Sequence, residues 1–169
     1  MGRDEEDVFL EAVAGTVPLP ERDRVRVAPA QGAVAPRRDR VGLPVPVTLA
    51  VEGDGVVISA RAPGVNRHEL SELRGGRVRP EGPLDLHGRT AAEAAPLLRD
   101  FLLDAQQLRR RCVLVIHGRG TRSEGVAVLR DLVIDSLVGP LSGLVHAFAT
   151  AARSDGGAGA TYVMPRSIA

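Results

Sequence analysis

The chain has no tryptophan, three phenylalanines and one tyrosine, so aromatics make up only 2% of its 169 positions. That scarcity excludes a nucleic-acid binder that grips by stacking bases on aromatic platforms. Lysine is absent as well, and all 22 basic residues are arginine. Schiff-base chemistry and the phosphate loop that ends in Gly-Lys-Ser/Thr are excluded with it. One cysteine, Cys112, excludes a disulfide framework and a four-thiolate zinc site, and it suits a reducing compartment. No charge sign dominates, with 22 basic against 21 acidic residues, so the chain is not a non-specific polycation. The least charged stretch, Ser136 to Ala152, is interrupted by Gly139, Pro140, Gly143 and His146. It falls short of the ~20 apolar residues of a membrane span. The opening Asp4-Glu5-Glu6-Asp7 is the opposite of a secretory leader. A soluble, cytoplasmic protein with no membrane partner is expected.

What is present is a 44% hydrophobic complement, enough for one domain with a long arm. Nine of the 12 prolines precede Leu84, and the chain divides there. Residues 1–46 combine an acidic helical candidate, Glu5 to Ala14, with a Pro/Arg-rich arm from Thr16 that lacks sustained periodicity. Residues 47–81 read as a connecting segment, with weak strand signals at 47–51 and 56–60 around Glu52-Gly53-Asp54-Gly55. In the same segment Asn66 and Glu69 suit a capping box, and Gly75-Gly76 stops a short helix. From residue 82 the pattern sharpens. Leu84 to His87 is a short strand, and Thr90 with Glu93 caps a helix to about Leu108 that Pro96 should bend. Arg111 to His117 is an apolar strand of the kind buried on both faces. Glu124 to Val138 is an amphipathic helix with Val128, Leu129, Leu132 and Val133 inward, followed by strands Gly143–Ala149 and Ala160–Met164. The order β-α-β-α-β-β defines an α/β domain with a four-stranded mixed sheet and two main helices, behind a mostly extended N-terminal arm.

Strands joined by helical crossovers run parallel, so the ends of the first three strands fall at one edge of the sheet. Ligands bind beyond the carboxyl ends of such strands. Asp85 and His87, two apart on the first strand, and His117 at the end of the second gather there. The last strand, as an antiparallel partner of the third, brings Gly156, Gly157 and Gly159 to the same edge. A lone Asp after a strand is as often a turn residue, and glycines after strands are usually punctuation, as at Gly75 and Gly76. His68 and His146 read as structural or exposed. Convergence lifts Asp85, His87 and His117 above that background, because two imidazoles and a carboxylate can divide acid, base and orienting roles. Gly118, Arg119 and Gly120, together with Arg89 and the later glycines, are candidates to hold a phosphate through N–H groups and guanidinium.

Leu84-Asp85-Leu86-His87-Gly88, then His117-Gly118-Arg119-Gly120, then Gly156-Gly157-Ala158-Gly159-Ala160-Thr161-Tyr162-Val163 resembles the Smr (small MutS-related) domain over about residues 82–166. Weaker likenesses to stand-alone bacterial members lie at Glu6-Asp7-Val8-Phe9 and at Ala62-Pro63-Gly64-Val65. The resemblance implies a two-layer α/β sandwich, similar to the C-terminal domain of a bacterial translation initiation factor, with nuclease activity on DNA or RNA. For some bacterial members it implies messenger RNA cleavage at stalled or collided ribosomes, with the N-terminal arm contacting the ribosome. By motif match, Asp85 and His87 are catalytic, and His117 with Gly118-Arg119-Gly120 is catalytic or phosphate-binding. Pro96 departs from the expected helix, and Arg119 fills a place that is often basic.

The expected function is an endonuclease acting on RNA in preference to DNA. On RNA the 2′-hydroxyl is the nucleophile, one imidazole takes its proton and the other protonates the leaving oxygen, so no cofactor is required. DNA nicking needs water as nucleophile and favours a divalent metal, magnesium or manganese, near Asp85. No metal-ligand spacing stands out. The remaining alternatives are a non-catalytic nucleic-acid or ribosome-binding module, with ribosome contact through residues 1–46, and a small-molecule phosphate hydrolase. Residues 82–169 carry 10 Arg against 8 acids, too even a balance for capture by charge alone.

Overall fold

The computed structural model describes residues 42–119 and 128–167. The helical candidate Glu5–Ala14, the linker up to residue 41, Gly120 and the helix start at Glu124 lie outside the described residues. Residues Gly42–Ala169 form a unit by themselves, whose fold is as follows.

The first two strands, β1 (Ala50–Gly53) and β2 (Ile58–Arg61), are a hairpin. The Asp54 carboxylate accepts from the amides of Val56 and Val57 at 2.9 and 2.8 Å, closing a turn whose central groups would otherwise be unpaired. Helix α1 (Arg67–Arg74) starts at Asn66, whose side chain accepts from the His68 amide, and stops at Gly75. Its buried Leu70 and Leu73 face the sheet. Strand β3 (Pro83–Asp85) leads to α2 (Ala91–Gln107), which opens with the expected Thr90–Glu93 capping box. Ala94, Leu98, Leu102 and Ala105 repeat at helical spacing and are fully buried. Helix α2 runs on through Pro96 to Gln107. Strand β4 (Val113–Ile116) and helix α3 (Val128–Val138) come next. After a short 3-10 turn come β5 (Val145–Thr150) and β6 (Ala160–Pro165).

The sheet is mixed, in the order β1-β2-β5-β6-β4-β3. It has six strands rather than the four expected, because the hairpin pairs with β5 through Ser59↔Ala149 and Ala60↔Phe148. Three α-helices lie among the described residues, the two main ones and α1, the short helix expected before Gly75. β3 and β4 are parallel, while β6 lies between β4 and β5 and is antiparallel to both. The ends of β3, β4 and β5 therefore share one edge of the sheet with the start of β6. On α3, Val133 and Leu137 are buried, but Val128 is exposed rather than inward. No helix of the described residues is long and apolar enough to cross a membrane.

Candidate functional site

Strand β3 ends at Asp85, so His87 stands in the turn beyond it rather than on the strand. The amide of Arg89 donates to the Leu86 carbonyl at 3.1 Å and closes that turn, with Gly88 at φ 75°, where a side chain would be strained. The turn swings the His87 ring back onto Asp85. Asp85 Oδ1 accepts from the His87 amide at 3.0 Å and from His87 Nδ1–H at 2.7 Å. Both bonds favour the carboxylate, as does the nearby Arg89 charge, and together they hold Asp85 below its ordinary value. With Nδ1 carrying its proton toward a carboxylate, Nε2 is the free nitrogen of the neutral ring, on a side chain 74% exposed. Asp85, His87 and Arg89 thus form one local unit.

His117 stands at the same edge but is built differently. It is only 4% exposed. Nδ1 lies 2.9 Å from the Gly118 carbonyl and must donate to it, so Nε2 accepts from the Thr161 hydroxyl at 3.0 Å. Both ring nitrogens are satisfied in the neutral form, and burial pushes the imidazole below its usual value of 6.5. The pleat explains the difference from His87. Asp85 pairs with Ile116, which places those two on one face of the sheet, whereas His117 reaches Thr161, the partner of Val115, on the other. No hydrogen bond joins the Asp85–His87 pair to His117 among the described residues.

The glycine loops meet as the sequence suggested. The amides of His117 and Gly118 both donate to the Gly159 carbonyl, at 3.0 and 2.9 Å. The Gly118 amide is thereby occupied rather than open to a phosphate. A Cβ on Gly159 would stand 3.2 Å from Arg119 Cγ and 3.4 Å from the Arg119 nitrogen, so the two loops are in tight contact there. Gly157 is buried as well, whereas Gly156 is exposed. The loop is fastened at its start, where the Tyr162 hydroxyl donates to Asp155. Arg119, the last described residue of the loop after β4, is exposed. Of the other histidines, His146 bonds Glu69 at 3.2 Å and His68 lies 3.9 Å from Glu72, both away from this edge. Among the described residues no group of three or more His, Cys, Asp or Glu side chains could hold a metal ion. Thr161 and Tyr162 escaped notice in the sequence, although both lie inside the third motif.

A carboxylate-held, solvent-facing imidazole and an exposed arginine thus stand at the same strand-end edge of a mixed α/β sheet. The model of the Smr domain family matches residues 84–166. A relative from Escherichia coli (strain K12), named "Probable DNA endonuclease SmrA", is 29% identical over 174 residues, covering 100% of this chain and 92% of its own length. A "Ribosome rescue factor SmrB" from Tolumonas auensis is 32% identical over 127 residues, covering 69% of this chain and 72% of that one. Among solved structures, YdaL, a stand-alone small MutS-related protein from Escherichia coli, superposes with a TM-score of 0.51 at 28% identity. That superposition covers 64% of this chain and 82% of YdaL. The chain belongs to the Smr-domain family.

Proposed function

We propose that the chain is an endonuclease that cleaves RNA, with His87 as the proton-exchanging group. The observation that carries this reading is the Asp85–His87 bond at 2.7 Å, which leaves Nε2 facing solvent. His87 Nε2 takes the proton of the 2′-hydroxyl as that oxygen bonds to phosphorus, and the bond from phosphorus to the 5′-oxygen breaks. The departing oxygen regains a proton from the protonated imidazole or from water. Asp85 sets the tautomer and steadies the charged ring. Arg119 neutralises charge that builds on the phosphorane. His117, held between Gly118 and Thr161, positions the loop that carries Arg119.

The name of the Tolumonas relative supports messenger RNA on a stalled ribosome as the setting, with residues 1–41 as the recruiting arm. One observation favours a second reading, DNA nicking: the Escherichia coli relative is named for DNA. On DNA the attacking group would be water. The described residues gather no metal-binding cluster, and no step is assigned to an ion. The test is purified full-length protein on matched RNA and DNA strands, with and without chelator. Cleavage of RNA alone, surviving chelator, is expected. Cleavage of DNA alone would replace this reading with the second.

A further inference from the structure

A cleft of about 730 Å³ opens at the same end of the sheet, between the hairpin tip and the loop that follows β5. Its charged lining is Arg74 from the end of α1, Arg119 from the loop after β4 and Arg153 from the turn after β5, with no carboxylate. All three arginines are exposed. Among the described residues none of them pairs with an acid, whereas Arg77 is bonded to Glu72 and Arg99 to Asp100. A concentration of three free guanidiniums is notable in a chain whose net charge is +1. The opposite wall presents Val56 and Val57, 60% and 48% exposed, at the hairpin tip.

The cleft opens at the strand-end edge, and Arg74, on α1, lies on the same face of the sheet as the Asp85–His87 pair. A Cβ on Gly76, just past α1, would stand 3.2 Å from the Tyr162 hydroxyl, so Tyr162 marks the face beside α1. Leu114 pairs with Tyr162, and Ile116, two residues on, pairs with Asp85, which puts Asp85 on that face too. Along the edge, β2 and β4 are three strand spacings apart, ~15 Å, and β3 is one spacing further. The row therefore runs from the hairpin tip past Arg153 and Arg119 to His87.

We infer that this cleft carries the single-stranded RNA that leads to the Asp85–His87 pair, an assignment that rests on the nuclease reading above. The phosphates face Arg74, Arg119 and Arg153, and sugars and bases rest on Val56 and Val57. Guanidinium planes also stack on bases, which supplies the contact that missing aromatics cannot. Three ionic contacts without a broad basic surface give binding that is modest, with a salt slope of about 2.

The experiment uses the full chain and a fluorescent oligoribonucleotide that carries one 2′-deoxy nucleotide at its cleavage site, so that binding is read without cutting. Arg74→Gln and Arg153→Gln should each raise Kd several-fold and reduce the salt slope by about 0.7–1. Arg99→Gln, on α2 and paired with its neighbour, should move neither. In cleavage, the first two variants should raise KM with little change in kcat. Unchanged Kd and salt slope in Arg74→Gln and Arg153→Gln would overturn the inference. Displacement of the strand by adenosine monophosphate at equal affinity would overturn it too, because the cleft would then be a mononucleotide pocket. A protein that cuts nothing, yet loses strand binding in both variants, would leave the path standing and remove the nuclease reading.

Discussion

The two histidines at the strand ends are chemically unlike, and the unlikeness predicts different phenotypes. His87→Ala should cost on the order of 10²–10⁴ in cleavage rate, the usual contribution of a positioned acid or base, with little change in melting temperature. Full activity in that variant would remove His87 from the reaction. Asp85→Asn should lose less than His87→Ala, because the ring stays in place while its tautomer is no longer fixed by a carboxylate. His117 should instead report on stability. Its folded-state pKa is depressed by burial, so the unfolded chain binds the proton more readily and stability rises with pH. The contribution is complete above the ordinary value of 6.5 and erodes as pH falls below it. Melting temperature should therefore drop between pH 7.5 and pH 5 in the parent, and His117→Gln should flatten that drop. Equal slopes in the two proteins would mean that the ring is not held neutral by the fold. The sequence placed Asp85 two residues from His87, but it did not show which imidazole is exposed and which is buried. The Thr161 hydroxyl that closes off His117 is 44 residues away, and only the pleat reveals that Asp85 faces the other side.

At the scale of elements, what the sequence resolved was local. The Thr90–Glu93 box lies within four residues, so the start of α2 could be read directly, and so could the apolar run of β4. The hairpin was legible only as a weak turn, because its strands gain their sheet partner from β5, far along the chain. The bounds of its observed strands also fall one to three residues later than the expected ones, since Asp54 places the turn at 54–57. The glycines of the third motif read in the sequence as candidates to hold a phosphate, and their contact with the His117 loop was not visible there. Gly159 in fact gives its carbonyl to two amides of the His117 loop and sits close against Arg119. Gly159→Ala should shift the Arg119 side chain by a few tenths of an ångström, lowering activity and reducing stability by about 1 kcal/mol or less. Retention of both would show that the loop has slack that the contacts do not suggest. Removing the cap with Thr90→Ala should cost ~1 kcal/mol, measured by denaturant midpoint, and should leave the site's chemistry alone.

On the scale of the whole molecule, the folded unit extends beyond the three short motifs, since the hairpin joins the sheet and α1 packs against it. Residues just before β1 are part of that structure as well. The Val47 amide donates to Ser142 Oγ at 3.0 Å, so a truncation of the arm should end at residue 41. The protein lacking residues 1–41 should cut naked RNA nearly as well as the full chain while co-sedimenting less with ribosomes. Equal co-sedimentation would remove the recruiting arm from the account. The central claim, that Asp85 presents His87 to activate the RNA's own 2′-hydroxyl, is tested most directly by the chemical identity of the product ends. Mass spectrometry of a cleaved oligoribonucleotide should find 2′,3′-cyclic phosphate on one fragment and 5′-hydroxyl on the other. Fragments ending in 3′-hydroxyl and 5′-phosphate would contradict it, because water rather than the 2′-oxygen would then have attacked the phosphorus.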